Sequence, residues 1–122
     1  LFRTLGVMNS LPPPQIRPEP AAPVTLRDTS LRDGLQSIAR TVPTDIKRQW
    51  LRGLHAAGVR AVEVGSFVPP QRMPQLADTA EMVAFARTLP GLDVAVLVPN
   101  LRGAERALES GADAMILPLS AS

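Results

Sequence analysis

Gly58-Val59-Arg60-Ala61-Val62-Glu63-Val64 decides the fold, because its pattern returns twice downstream. Gly91-Leu92-Asp93 leads into Val94-Ala95-Val96-Leu97-Val98, and Gly111-Ala112-Asp113 leads into Ala114-Met115-Ile116-Leu117. Each unit is a glycine, one apolar residue, one charge and then a short, mostly apolar run. Glycine suits the left-handed position after a helix, and an unbroken apolar run suits a parallel strand covered on both faces. Val24-Thr25-Leu26 reads as a further strand ahead of these. The segments between them carry helical spacing. Thr44 is the expected N-cap of a helix with Ile46, Trp50, Leu51 and Leu54 on one stripe, a second helix is expected from Leu76 to Leu89, and a third from Leu101 to Ser110. The order β-α-β-α-β-α-β predicts a parallel sheet with right-handed crossovers. A doubly wound sheet and a (β/α)8 TIM barrel both satisfy it. Neither a dinucleotide-binding glycine fingerprint nor a P-loop follows any strand, which weighs against the nucleotide-binding sandwich.

Outward from this array, residues 1–23 have a different composition. Pro12, Pro13, Pro14, Pro18, Pro20 and Pro23 remove amide donors and favour extended backbone, so this stretch is expected to be a Pro-rich disordered leader to an α/β part at residues 24–122. The chain opens on Leu1 with Met8 as an alternative start, which suggests a fragment, an unusual start codon or a misplaced boundary. Its 122 residues are about half of the roughly 250 that a (β/α)8 barrel needs, enough for about the first four strands and three helices. The formal charge of +2 sets 12 Arg and Lys47 against 11 acids. The arginines are scattered and the aromatics number only Phe2, Trp50, Phe67 and Phe85, so no nucleic-acid partner is expected. With no cysteine there is neither a disulfide framework nor a Cys-ligated metal in this chain, which fits a reducing cytoplasm. No apolar run reaches the ~18 residues of a membrane helix, so no membrane partner is expected.

In α/β folds the chemistry sits at the carboxyl ends of the strands. After the first strand comes Asp28-Thr29-Ser30-Leu31-Arg32-Asp33-Gly34-Leu35-Gln36. Asp33 can hold a hard divalent cation through oxygen, while Arg32 presents five donors to a carboxylate or enolate oxygen. An Asp-Gly turn beside a surface Arg is the plainer reading of the same triplet. Glu63 lies inside a strand that should be buried, and a buried carboxylate costs several kcal/mol unless it is paired or beside a metal. Arg32, at the neighbouring strand mouth, is the obvious partner; an exposed Glu on an edge strand is the alternative. The loop Ser66-Phe67-Val68-Pro69-Pro70-Gln71-Arg72-Met73-Pro74-Gln75 is long and proline-stiffened, and such loops are often functional. Asn100 reaches the same rim, either towards a ligand or as the N-cap of the following helix. His55, the only histidine, falls near the end of the first helix and far from the strand mouths.

Four segments then point to one family. Arg32-Asp33-Gly34-Leu35-Gln36, Val62-Glu63-Val64-Gly65-Ser66-Phe67-Val68, Pro74-Gln75-Leu76-Ala77-Asp78 and Val98-Pro99-Asn100-Leu101-Arg102-Gly103 resemble 3-hydroxy-3-methylglutaryl-coenzyme A lyases over roughly Val24 to Ser122. The resemblance implies a TIM barrel of which this chain holds the N-terminal half, and cleavage of 3-hydroxy-3-methylglutaryl-CoA to acetyl-CoA and acetoacetate. It implies Mg²⁺ or Mn²⁺ held by Asp33, Arg32 steadying the substrate carbonyl and the enolate, and Glu63 as the acid supporting that cluster. Gln36, Ser66 and Asn100 match substrate-side rim positions. It further implies an acyl-CoA partner, a cytoplasmic setting, a homo-oligomer (dimer) for the full-length form, and two metal-binding histidines, an Asn and a lid cysteine beyond residue 122. The related condensing synthases usually carry Glu at the position of Leu35, so Leu35 and Ser66-Phe67-Val68 favour the lyase, whereas Asp28-Thr29-Ser30 resembles the synthase pattern. A lyase for a longer 3-hydroxyglutaryl-CoA, a Claisen-condensing acyltransferase of the isopropylmalate or homocitrate synthase type, and a non-catalytic half-barrel are the alternatives.

Overall fold

The computed structural model describes residues 22–120; most of the expected leader lies outside them. Strands β1 (Arg27–Asp28), β2 (Ala61–Ser66), β3 (Asp93–Leu97) and β4 (Ala114–Ile116) alternate with helices α1 (Thr44–Ala56), α2 (Thr79–Ala86) and α3 (Leu101–Ser110). A π-helical turn (Ser30–Gly34) follows β1, and a 3₁₀ turn (Pro74–Leu76) precedes α2. All strand pairs are parallel, in the order β1-β2-β3-β4. Sheet order equal to chain order decides between the two architectures. A doubly wound sheet reverses direction at a switch point. Here the winding never reverses, and right-handed crossovers of one sense leave every helix on one face, as in a barrel wall.

The repeated glycines carry this winding. Gly58, Gly91 and Gly111 have φ of 97°, 68° and 77°, and among the described residues no others have positive φ. Each lets the chain leave a helical segment and turn back under the sheet, at a backbone geometry that a Cβ would strain. The charge two residues later latches neighbouring strands at their amino ends. Asp93 N donates to Arg60 O at 2.8 Å, and its carboxylate pairs with Arg27 Nη2 at 2.7 Å. Asp113 exchanges bonds with Val94, giving its amide to Val94 O at 2.8 Å and accepting from Val94 N through Oδ2 at 2.9 Å.

Side chains alternate across the strands. Val62, Val64, Val94, Val96 and Val98 form the apolar face that the helices cover, packed with Leu51, Met82, Val83, Ala86, Leu92 and Ala107. On the opposite face, Glu63 pairs with Ala95 and Ser66 with Leu97, so three steps on β2 match two on β3. This bulge puts Glu63 and Ser66 on the same face despite their odd separation, because Ala95 and Leu97 share one face.

Four expectations need correction. The first strand is Arg27–Asp28 rather than Val24-Thr25-Leu26, and Val24 and Leu26 are exposed. Pairing with Ala61 and Val62 of β2 selects which residues count as strand, and apolar content does not. Thr44 is the first residue of α1 and not its cap. Pro43 holds the cap position, and Thr44 Oγ1 donates instead to Asp78 Oδ2 at 2.7 Å. The buried stripe of α1 runs through Lys47 and Leu51, whereas Ile46 and Trp50 are more than 40% exposed. The second helix is shorter than Leu76–Leu89, because Pro74–Leu76 forms a separate 3₁₀ turn and the chain unwinds after Ala86. The third helix has the expected bounds.

Candidate active site

The carboxyl ends of β1, β2 and β3 bring most of the expected residues to one rim. Leu31 and Leu35, four apart and both buried, anchor the turn after β1. Between them the backbone closes on one acceptor: Thr29 O receives the amides of Arg32 at 3.1 Å and Asp33 at 2.8 Å. Asp28 Oδ1 fixes the entry by accepting from Ser30 N at 3.0 Å. Such π-type turns recur at functional sites; this one presents Arg32 and Asp33 from a segment held at both ends.

Arg32 reaches across to β2. Its Nε donates to Glu63 Oε1 at 2.6 Å and its Nη2 to Glu63 Oε2 at 3.1 Å, a bidentate fork. Glu63 is only 1% exposed. The burial expected of it is therefore present, and the charge is paired as its burial requires. The third nitrogen, Nη1, donates to Asp33 Oδ1 at 2.9 Å. One guanidinium thus bridges a buried carboxylate and an exposed one, with its plane set by the buried partner.

Ser66 lies on the Glu63 face one bulge further along β2 and is 2% exposed. Its Oγ is buried and has no hydrogen-bond partner among the described residues. A buried hydroxyl left unsatisfied costs free energy that a bound polar group would recover. Its backbone is fixed by Thr79, whose Oγ1 accepts from Ser66 N at 3.0 Å and lies 2.7 Å from Leu76 O.

The other rim residues are placed differently. Gln36 is exposed just past the π-turn. Asn100 caps α3, accepting from Gly103 N through Oδ1 at 2.9 Å, so its carbonyl already has a structural use. His55 sits in the last turn of α1 with Nε2 2.8 Å from Pro90 O, at the opposite end of the strands. Two features escaped the sequence reading. Lys47 is a buried cation whose Nζ donates to Asp78 Oδ1 at 2.7 Å and Gln75 O at 2.6 Å, and Gln75 Nε2 donates to Ile38 O at 2.6 Å. Together they brace the segments leading to and from the rim. The one available signal was a lone lysine in an arginine-rich chain.

Among the described residues, no three acidic or histidine side chains converge on a point that could hold a metal ion. Asp33 is an exposed carboxylate at the rim, chemically suited to Mg²⁺ or Mn²⁺ as one oxygen ligand. Such ions take about six ligands, so residues 22–120 do not make a complete site.

Comparison with known proteins places these observations. A family model described as HMGL-like matches residues 23–122. A Pseudomonas aeruginosa protein named 3-hydroxy-3-isohexenylglutaryl-CoA/hydroxy-methylglutaryl-CoA lyase is 46% identical over 88 residues, which is 72% of this chain and 29% of that protein. A rat protein named cytoplasmic 3-hydroxy-3-methylglutaryl-CoA lyase is 42% identical over 89 residues, covering 73% of this chain and 26% of the relative. The structure of an Acinetobacter baumannii HMG-CoA lyase in complex with coenzyme A and 3-methylmalate superposes with a TM-score of 0.74 at 39% identity, over 80% of this chain and 32% of that one. The chain thus matches less than a third of the length of each.

Proposed function

As the chain belongs to the HMGL-like family, we propose that its protein is a carbon–carbon lyase cleaving 3-hydroxy-3-methylglutaryl-CoA to acetyl-CoA and acetoacetate, and that these residues supply the first βα units of the barrel. The observation that carries the reading is the Arg32–Glu63 fork at the strand mouths, with Asp33 on the remaining nitrogen.

Cleavage beside a tertiary alcohol removes the hydroxyl proton, makes that carbon a ketone as the C–C bond breaks, and moves the bonding pair into the thioester as an enolate, which then takes up a proton to give acetyl-CoA. The barrier falls when positive charge waits, preorganised, where the enolate oxygen develops. Arg32 meets that requirement: it is always charged, and Glu63 holds its plane so that little reorganisation is needed at the moment of reaction. Glu63 is the positioning residue. The unsatisfied Ser66 Oγ is a ready donor or acceptor for a polar substrate atom, and Gln36 and Asn100 lie further out along the same rim. Asp33 would hold a Mg²⁺ or Mn²⁺ ion together with ligands from outside residues 22–120; when bound, the ion supplies Lewis-acid polarisation of substrate oxygens.

The Pseudomonas relative is named for a longer isohexenyl substrate as well as the methyl one. That favours, as the second reading, a lyase accepting a longer 3-hydroxyglutaryl-CoA. A cytoplasmic setting is supported by the rat relative's name, although other relatives of similar identity are named mitochondrial. No helix among the described residues is long and apolar enough to cross a membrane. The test is to incubate the intact protein with 3-hydroxy-3-methylglutaryl-CoA, with Mn²⁺ or with chelator, and measure acetoacetate. Metal-dependent acetoacetate that Asp33→Ala abolishes supports the reading. Thiol release from acetyl-CoA plus a 2-oxo acid, without cleavage, would replace it with the condensing reaction.

A further inference from the structure

Of the four segments that carry the family resemblance, Pro74-Gln75-Leu76-Ala77-Asp78 alone supplies none of the expected site residues. It is held firmly all the same. Gln75 O accepts from the buried Lys47 Nζ at 2.6 Å, and Asp78 neutralises that lysine at 2.7 Å. Leu76 is buried, and its carbonyl lies 2.7 Å from Thr79 Oγ1. From this fixed 3₁₀ turn the Gln75 side chain reaches across to the segment after the π-turn, where Nε2 donates to Ile38 O at 2.6 Å. The two residues are 37 positions apart in sequence.

The acceptor belongs to a lightly held stretch. Residues 36–43 join the π-turn to α1, and all of them except Val42 are exposed. Ser37 Oγ bonds only to Asp33 O and Gly34 O within the turn, and the Ile38 amide reaches no further than Leu35 O at 3.4 Å. Among the described residues, the Gln75 amide makes the one hydrogen bond that this stretch receives from a distant part of the chain. That bond lies at the surface, where water competes for both groups and a neutral hydrogen bond adds little to stability. Its consequence is placement. We propose that Gln75 is a positioning residue: its amide clips the stretch after Arg32 and Asp33 to the loop after β2, and so holds the rim around Gln36 in the shape that receives substrate. Arg32 is fixed separately, by Glu63 and by the buried Leu31 and Leu35. The clip therefore governs how substrate is held, and not how the enolate is stabilised. The substrate in question rests on the lyase reading, whereas the clip itself does not.

Gln75→Met keeps the bulk of the side chain and removes the donor. In steady-state cleavage of 3-hydroxy-3-methylglutaryl-CoA by the intact protein with Mn²⁺, this variant should raise KM about 2–10-fold, the effect of one neutral hydrogen bond. It should leave kcat within about twofold, the pattern of lost uniform binding. Melting temperatures should match. Without substrate, hydrogen exchange should be about 2–10-fold faster in the peptide covering residues 36–43 and unchanged in that covering 61–66. Gln49→Met, at an exposed position of α1, should alter none of these quantities. An unchanged KM, a kcat that falls while KM does not rise, or unaltered exchange across 36–43 would overturn the proposal. A parent protein that releases no acetoacetate would overturn the lyase reading and the substrate role with it, while the exchange comparison still decides the clip.

Discussion

Lys47 and Asp78 stand 31 positions apart in sequence and 2.7 Å apart in space, with the lysine 2% exposed. This pair joins α1 to the entry of α2 beneath the rim. Breaking a buried pair strands the remaining charge. Lys47→Ala should therefore lower the unfolding free energy by about 3 kcal/mol, the low end of the usual range because Asp78 keeps some solvent contact. Urea melts of both proteins, compared at their midpoints, measure it.

The bulged end of β2 makes a second demand. A Cβ on Gly65 would stand 2.3 Å from Thr79 Oγ1 and 2.8 Å from its Cγ2, in a fully packed spot. Gly65→Ala must displace α2 or the strand, and overpacking of this kind costs about 1–3 kcal/mol. The same substitution should shift the Ser66 environment, visible as loss of protection of the Ser66 amide in hydrogen exchange.

Asn100 separates a cap from a contact. Asn100→Ala should cost about 1 kcal/mol through the lost bond to Gly103 N, whereas Asn100→Asp keeps an acceptor and should melt like the parent. Thermal denaturation distinguishes the two. If the aspartate variant is stable but cleaves substrate poorly, the amide has a second role at the rim.

Among the described residues the sheet edges at β1 and β4 lack a neighbour, and large apolar side chains stand exposed: Ile46 and Trp50 on α1, Leu101 and Leu108 on α3. Unpaired parallel edges beside exposed apolar faces recruit partners. The 122-residue chain by itself should elute above its 13.0 kDa mass, with Trp50 fluorescence shifting to the blue as concentration rises. A monomer at all concentrations would contradict this.

Much of the architecture could be read from local chemistry. The left-handed turns at Gly58, Gly91 and Gly111 are requirements of single residues, so the repeat revealed them directly. The Arg32–Glu63 contact was also legible across 31 residues, because a carboxylate in a buried strand demands a partner. What stayed hidden depends on tertiary choice. Of the apolar stripe expected on α1, Leu51 is buried but Ile46 and Trp50 are exposed, while Lys47 turns inward to Asp78 and Gln75 O, partners that the spacing along α1 does not reveal. The two-residue β1 is defined by its register with Ala61 and Val62, which no feature of Val24-Thr25-Leu26 encodes. The bulge that brings Ser66 to the Glu63 face likewise arises from pairing with β3, so spacing along β2 alone would have assigned Ser66 to the wrong side.

The central claim is that Arg32, held by Glu63, stabilises an enolate during carbon–carbon cleavage. Arg32→Lys keeps a positive charge for Glu63 but removes the planar fork, so folding should be preserved while the preorganised donors are lost. The decisive measurement is the rate of acetoacetate release from 3-hydroxy-3-methylglutaryl-CoA by the intact protein and by this variant, alongside their melting temperatures. The account predicts matching melts and a rate lower by about 10²–10³, the usual effect of removing one such stabilising donor. A variant that melts like the parent and turns over at the parent's rate would contradict it.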